Sequence, residues 1–209
     1  MNKFISLFLI LLHFSSFAQE KIAKEILDKL SATTKSYKNI TIEFDFLLEN
    51  KNQNIKEIQE GSLTLQENKF HLTIDNQIII NDGETQWIYL SDLNELQIMN
   101  HDPEESMMQP EKIFTIYEEN YKYSYMGSEN NHDKKLELID LFPEESQEFI
   151  KINIAINSIK NQLERITLHD RNGSTYSYII KSFTTNTSKK PFYFNTTDFP
   201  NVEIIDLRQ

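Results

Sequence analysis

Between Ile40 and Leu207 the chain repeatedly alternates apolar with polar residues at a period of two, and that leaves an antiparallel sheet as the main way to bury its apolar surface. Ile40, Ile42, Phe44, Phe46 and Leu48 alternate with Thr41, Glu43 and Asp45, the spacing of a long half-buried strand. The alternation returns at Leu63 and Leu65, and again at Phe70, Leu72 and Ile74, with Glu67-Asn68 as a tight turn between. Strands are predicted over 77–80 and 87–90, and Asp82-Gly83 is expected to supply the positive backbone angles of a primed hairpin turn. Further strands are predicted over 95–99, 121–126, 135–141, 149–156, 162–169, 175–183 and 202–207. Ile150, Ile152, Ile154 and Ile156 are expected on one face, and Asp170-Arg171-Asn172-Gly173 signals another hairpin. The count is about a dozen strands at meander spacing.

Helices are sparse. Ile22, Ala23, Ile26, Leu27 and Leu30 fall at helical spacing, which predicts an amphipathic helix over 20–36. Pro110 can open a short helix over 111–119, with Ile113, Phe114, Ile116 and Tyr117 as its apolar flank. A single antiparallel sheet of this size curls, and every second residue lines its inner face. The helices are then the available cover for the concave side. The pattern fits a core filled by side chains as well as a hydrophobic cavity under a helical lid.

Residues 1–18 read as an export signal: Lys3, an apolar core over 4–12, then the small-x-small Ser16-Phe17-Ala18. The apolar run is too short for a stable membrane anchor. Gln19 follows the expected cut, so the cysteine a lipoprotein needs for its acyl chains is missing, and the chain has no cysteine anywhere. The expectation is an exported, released, periplasmic protein, with residues 19–209 forming one domain stabilised by burial alone. Lys and Arg number 21 against 32 Asp and Glu, a formal net charge of -11, and removing Lys3 makes the remainder more acidic. That excludes nucleic acid as a partner on electrostatic grounds and argues against resting on anionic lipid.

An enzyme would need a constellation that the sequence lacks. It has no G-x-S-x-G elbow, H-E-x-x-H, P-loop or dinucleotide fingerprint. Glu104-Glu105, Glu118-Glu119 and Glu144-Glu145 are adjacent carboxylates that point apart and read as solvated. His71 and His169 sit in strand patterns, and His132-Asp133 in a polar turn with no second ligand in view. Neither a metal nor a cofactor is expected, and no catalytic residue.

The order of elements resembles a known family. The amphipathic helix, the strand with Phe44 and Phe46, Glu60-Gly61-Ser62-Leu63, and Asn68-Lys69-Phe70 come first. The hairpin Asp82-Gly83-Glu84-Thr85-Gln86-Trp87-Ile88-Tyr89 follows, and the ending runs from Phe192-Tyr193-Phe194 to Asp206-Leu207-Arg208. Together they look like the periplasmic outer-membrane lipoprotein carrier protein (LolA) family across nearly the whole chain. The resemblance implies an α+β, mainly antiparallel fold: an incompletely closed β-barrel of about eleven strands, with an N-terminal helix and a short helical lid over a hydrophobic cavity. It implies acylated lipoproteins as cargo, moved from inner to outer membrane, an inner-membrane ABC lipoprotein-releasing transporter as donor, and a monomer. It leaves the outer-membrane acceptor open.

On this reading the acyl chains are expected against Ile42, Phe44 and Phe46, Leu63 and Leu65, Phe70, Leu72 and Ile74, Trp87 and Tyr89, and Ile152 and Ile154. The lid is expected to carry Met107, Met108, Ile113, Phe114 and Tyr117, its methionines suited to an adaptable surface. One departure stands out. Proteobacterial members carry an Arg just before a Pro-Asn-x-Phe element, which latches the lid. Here the stretch is Leu65-Gln66-Glu67-Asn68-Lys69-Phe70, and the only arginines are Arg165, Arg171 and Arg208. Three other readings stay open: a non-enzymatic envelope interaction or sensor module on the same fold, a carrier of another lipid, and a lipid hydrolase with an unseen nucleophile.

Overall fold

The computed structural model describes residues 2–102, 110, 113–118, 120–131, 134–144, 149–187 and 190–208, with 2–18 and 131 as backbone. One α-helix, α1 (Asn2–Lys35), leads into twelve strands. They are β1 (Ile40–Asn50), β2 (Ile55–Gln66), β3 (Lys69–Ile74), β4 (Gln77–Asn81), β5 (Thr85–Leu90), β6 (Glu95–Asn100), β7 (Tyr121–Asn131), β8 (Lys134–Pro143), β9 (Phe149–Asn157), β10 (Gln162–Asp170), β11 (Ser174–Thr185) and β12 (Glu203–Asp206). All twelve form one sheet in the order β12-β6-β5-β4-β3-β2-β1-β11-β10-β9-β8-β7. Every pairing is antiparallel except β12 with β6. The edges, β12 and β7, do not pair with each other, so the sheet is not fully closed.

Three sequence expectations change. The helix does not begin near residue 20: it is continuous from Asn2, and the amphipathic stretch is its second half. Ala23, Leu27 and Leu30 of that half are buried where α1 packs across β7 and β10. The expected helix over 111–119 is, where described, a turn over 113–115 followed by a single 3-10 turn, Ile116–Glu118. In the β4–β5 hairpin Gly83 alone takes a positive φ, 96°. Asp82 contributes its side chain instead, Oδ1 accepting from the backbone N–H groups of Glu84 and Thr85.

The pleat divides the sheet into two apolar faces rather than one. On the inner face the main core runs from α1 through Ile40, Ile42 and Phe44 to Ile139, Ile152, Ile154 and Ile166. Ile80, Tyr89 and Leu96 are equally buried yet lie outside that core. The register explains it. Phe70, Leu72 and Ile74 of β3 face inward and pair with Asn81, Ile79 and Gln77 of β4, which pair in turn with Gln86, Ile88 and Leu90 of β5. Trp87 and Tyr89 therefore point to the opposite, outer face. There the C-terminal segment covers Tyr89, whose ring lies 5.4 Å from Phe194 and 4.5 Å from Phe199, centroid to centroid.

Candidate functional site

Side chains fill the half of the inner face beneath α1, where Ile139, Leu141, Ile152 and Ile166 have no exposed surface. The other half keeps a space. Ile42 and Phe44 of β1, Leu63 of β2, Leu72 of β3, and Tyr178 and Ile180 of β11 wall a cavity of about 90 Å³, roofed by Pro110 and Ile113. Leu72 and Tyr178 belong to strands three places apart, which in a flat sheet would stand about 14 Å from each other. Sharing so small a cavity requires the sheet to curl tightly at β1 and β2. The walls are apolar or aromatic throughout, and burial raises the Tyr178 phenol's pKa, keeping it neutral. The space is smaller than the roughly 150 Å³ that admits a benzene-sized guest. As it stands the space is too small for a long chain.

The segment covering the cavity is tied to α1 by side-chain hydrogen bonds. The Tyr117 hydroxyl donates to Asp28 Oδ1 at 3.1 Å, and Ser31 Oγ and Lys35 Nζ both donate to Glu118 Oε1 at 3.1 Å. Asp28, Ser31 and Lys35 recur at helical spacing, so one face of α1 presents all three. The hydrogen bond from Lys24 holds the Asp28 carboxyl below its ordinary pKa, against the opposing effect of burial, and Tyr117 adds to the lowering. Burial pushes the Tyr117 phenol well above its ordinary value. Glu118, read from sequence as merely solvated, is half of this tie.

The structure brings most of the expected cavity residues onto one face. Ile42, Phe44, Leu63 and Leu72 line the cavity itself. Phe46, Leu65, Phe70 and Ile74 surround it, the Phe46 ring packing 5.1 Å from Tyr178. Ile152 and Ile154 share the face but are consumed by the filled core. Trp87 and Tyr89 are corrected to the outer face. Of the lid residues Ile113 roofs the cavity, Phe114 is buried against Phe183, and Tyr117 makes the tie to Asp28. Met107 and Met108 lie outside the described residues. Sequence reasoning missed Tyr178, Ile180 and Pro110. A bulge at Lys181, where Glu43 pairs with Ser182 but Phe44 with Ile180, breaks the β11 alternation that could have pointed to the first two.

His71 and His169 each have a partner: His71 Nδ1 lies 3.2 Å from the Pro191 carbonyl oxygen, in the segment after β11, and His169 Nε2 bonds Asn153 Oδ1 of β9. Among the described residues no cluster of His, Asp and Glu could hold a metal ion, and no helix is long and apolar enough to cross a membrane.

A single, mainly antiparallel sheet curled around an apolar interior, with one helix packed across it, defines an α+β open-barrel fold. The model for the family described as outer membrane lipoprotein carrier protein LolA matches residues 35–197. The chain belongs to the LolA family. Among solved structures it is similar to an uncharacterized conserved protein from Thermus thermophilus, with a TM-score of 0.58 and 11% identity over 88% of this chain and 98% of that one. The lipoprotein LppX of Mycobacterium tuberculosis gives a TM-score of 0.48 at 11% identity, over 80% of this chain and 99% of that one. A putative outer membrane lipoprotein-sorting protein domain from Vibrio parahaemolyticus gives 0.45 at 11%, over 87% and 97%. At such an identity the likeness to the Thermus thermophilus protein speaks to the fold alone. No curated protein matches the sequence.

Proposed function

We propose that this protein is a periplasmic carrier that shelters the acyl chains of lipoproteins inside the curled sheet and moves them from the inner to the outer membrane. The observation that carries the reading is the apolar cavity roofed by Pro110 and Ile113, on a segment tied to α1 through Tyr117 and Glu118. Family membership supports it. Cargo arrives from an inner-membrane ABC transporter, and the mature chain, cut after Ala18, acts as a monomer without cofactor or catalysis.

The energetics suit a transient holder. Burying an acyl chain releases about 0.8 kcal/mol per CH₂, so chains of lipoprotein length gain more than about ten kcal/mol gross. Opening the closed cavity, with loss of the ties to Asp28, Ser31 and Lys35, offsets part of that gain and makes release feasible.

The test is binding of a synthetic triacylated peptide to the mature protein, followed by titration calorimetry and native mass spectrometry. Saturable binding of one peptide per chain is expected. Absence of saturable binding would overturn the carrier reading.

A further inference from the structure

A second space lies one step along the same wall. It measures about 370 Å³ and is lined by the apolar Ile40, Leu65 and Phe114 and by the polar Thr34, Lys35, Lys38 and Gln66, with the Glu67 carboxylate beside them. All three apolar residues are buried, with 6% or less of their surface exposed. Ile40 and Leu65 pair directly across β1 and β2, and the next inward pair is Ile42 and Leu63, which wall the smaller cavity. Two residues along a strand advance about 6.6 Å, so the two spaces are neighbours. Adjacent residues of the covering segment divide them: Ile113 faces the small cavity and Phe114 the large one. The Phe114 ring is held edge-on by Phe183, with centroids 6.3 Å apart.

We propose that this larger space is the port through which an acyl chain reaches the interior, with Phe114 as its gate and Thr34, Lys35, Lys38 and Gln66 seating the ester and amide carbonyls of the cargo's head. The proposal rests on the carrier reading. An amphiphile needs an apolar floor that continues inward and hydrogen-bond donors at the mouth, and this opening has both. The space of about 420 Å³ on the outer face has donors in Lys181 and Lys190 but, apart from Phe44, no apolar floor, its other walls being polar or charged groups such as Glu43 and Glu60. Gate and tie are also one mechanical unit. Phe114 lies three and four residues from Tyr117 and Glu118, and Lys35 both lines this space and makes the tie to Glu118. A head group whose carbonyls take the Lys35 ammonium loosens Glu118, so arrival of cargo favours opening of the gate.

The absence of cysteine makes the test direct, because one introduced thiol is the only labelling site. Mature Thr34→Cys protein is capped with a bulky methanethiosulfonate reagent, and uptake of a fluorescent triacylated peptide is followed by stopped flow. The cap is expected to slow association about tenfold, with recovery when a reductant removes it. The same cap on Thr73→Cys, beside the outer space, is expected to leave the rate unchanged. Phe114→Ala is expected to speed association. Uptake equally fast with Thr34→Cys capped and uncapped, or slowed as much by the cap on Thr73→Cys, overturns the port and leaves the carrier reading standing. If the uncapped proteins bind no peptide at all, the carrier reading fails and the port with it.

Discussion

The ring of Phe44 occupies the space that a side chain on Gly61 would need. The two residues pair directly across β1 and β2, and a β-carbon on Gly61 would stand 2.6 Å from Phe44 Cε2 and 3.0 Å from Cε1. A glycine in a strand interior gives up packing surface, and an aromatic ring laid over it restores the cover. Because Phe44 also walls the cavity, Gly61→Ala is expected to push the ring into that space. Overpacking of this kind costs about 1–3 kcal/mol. Thermal melting and acylated-peptide affinity should both fall, and Gly61→Ala with unchanged affinity would remove Phe44 from the binding wall.

The tie between α1 and the covering segment predicts its own chemistry. Tyr117→Phe removes one hydrogen bond of about 1 kcal/mol and should raise amide hydrogen exchange over 113–118 without unfolding the sheet. The pH dependence has two edges. Asp28 titrates below its ordinary value in the folded chain, so its contribution is present above the ordinary carboxylate range and is lost as pH falls. Tyr117 titrates above its ordinary value, so its contribution is present below the ordinary phenol range and is lost as pH climbs. Exchange over 113–118 should thus stay flat near neutrality, once corrected for intrinsic rates, and rise toward both extremes. A rise centred between about pH 6 and 8, where a histidine would titrate, would point to a different group.

Tyr89 separates stability from binding. Its ring packs against Phe194 and Phe199, and its hydroxyl donates to Asn94 Oδ1 at 3.1 Å, all on the face away from the cavity. Tyr89→Ala is expected to cost about 3–4 kcal/mol in denaturant unfolding while leaving peptide affinity per folded molecule unchanged. Phe46→Asp should do the reverse in kind, lowering affinity far more than a matching change at exposed Glu43. Equal losses at Phe46 and Glu43 would mean that the facing of β1 is misassigned.

The alternation made the strands legible, because period two is a direct consequence of pleating and survives without any neighbour in view. Facing was legible only where one face of a strand is clearly more apolar than the other, which fails at Ile78-Ile79-Ile80 and Trp87-Ile88-Tyr89. It held through Ile42, Leu63 and Leu72, and was lost at Trp87 and Tyr89, whose hairpin looks identical whichever face it turns to the core. The tie to α1 was invisible for another reason. Asp28 and Tyr117 are 89 residues apart, and nothing local distinguishes them from a solvated carboxylate and a core phenol.

Ile150 is the sharpest case of a pattern misread, and it yields the last prediction. Alternation placed it beside Ile152 and Ile154 on the inner face, yet it is 51% exposed while Ile152 is fully buried. His169 pairs with Lys151 and Asp170 with Phe149, so Ile150 is the extra residue of a bulge, and Phe149 turns inward in its place against Tyr176. Ile150→Lys should therefore change stability by less than about 0.5 kcal/mol, the range of an ordinary surface change. Ile152→Lys places an unpaired ammonium in the core and should cost more than about 4 kcal/mol, a large share of an ordinary domain's stability. Urea melts of the two variants decide the matter. If Ile150→Lys is as damaging as Ile152→Lys, the bulge is absent in solution and the unbroken alternation is correct.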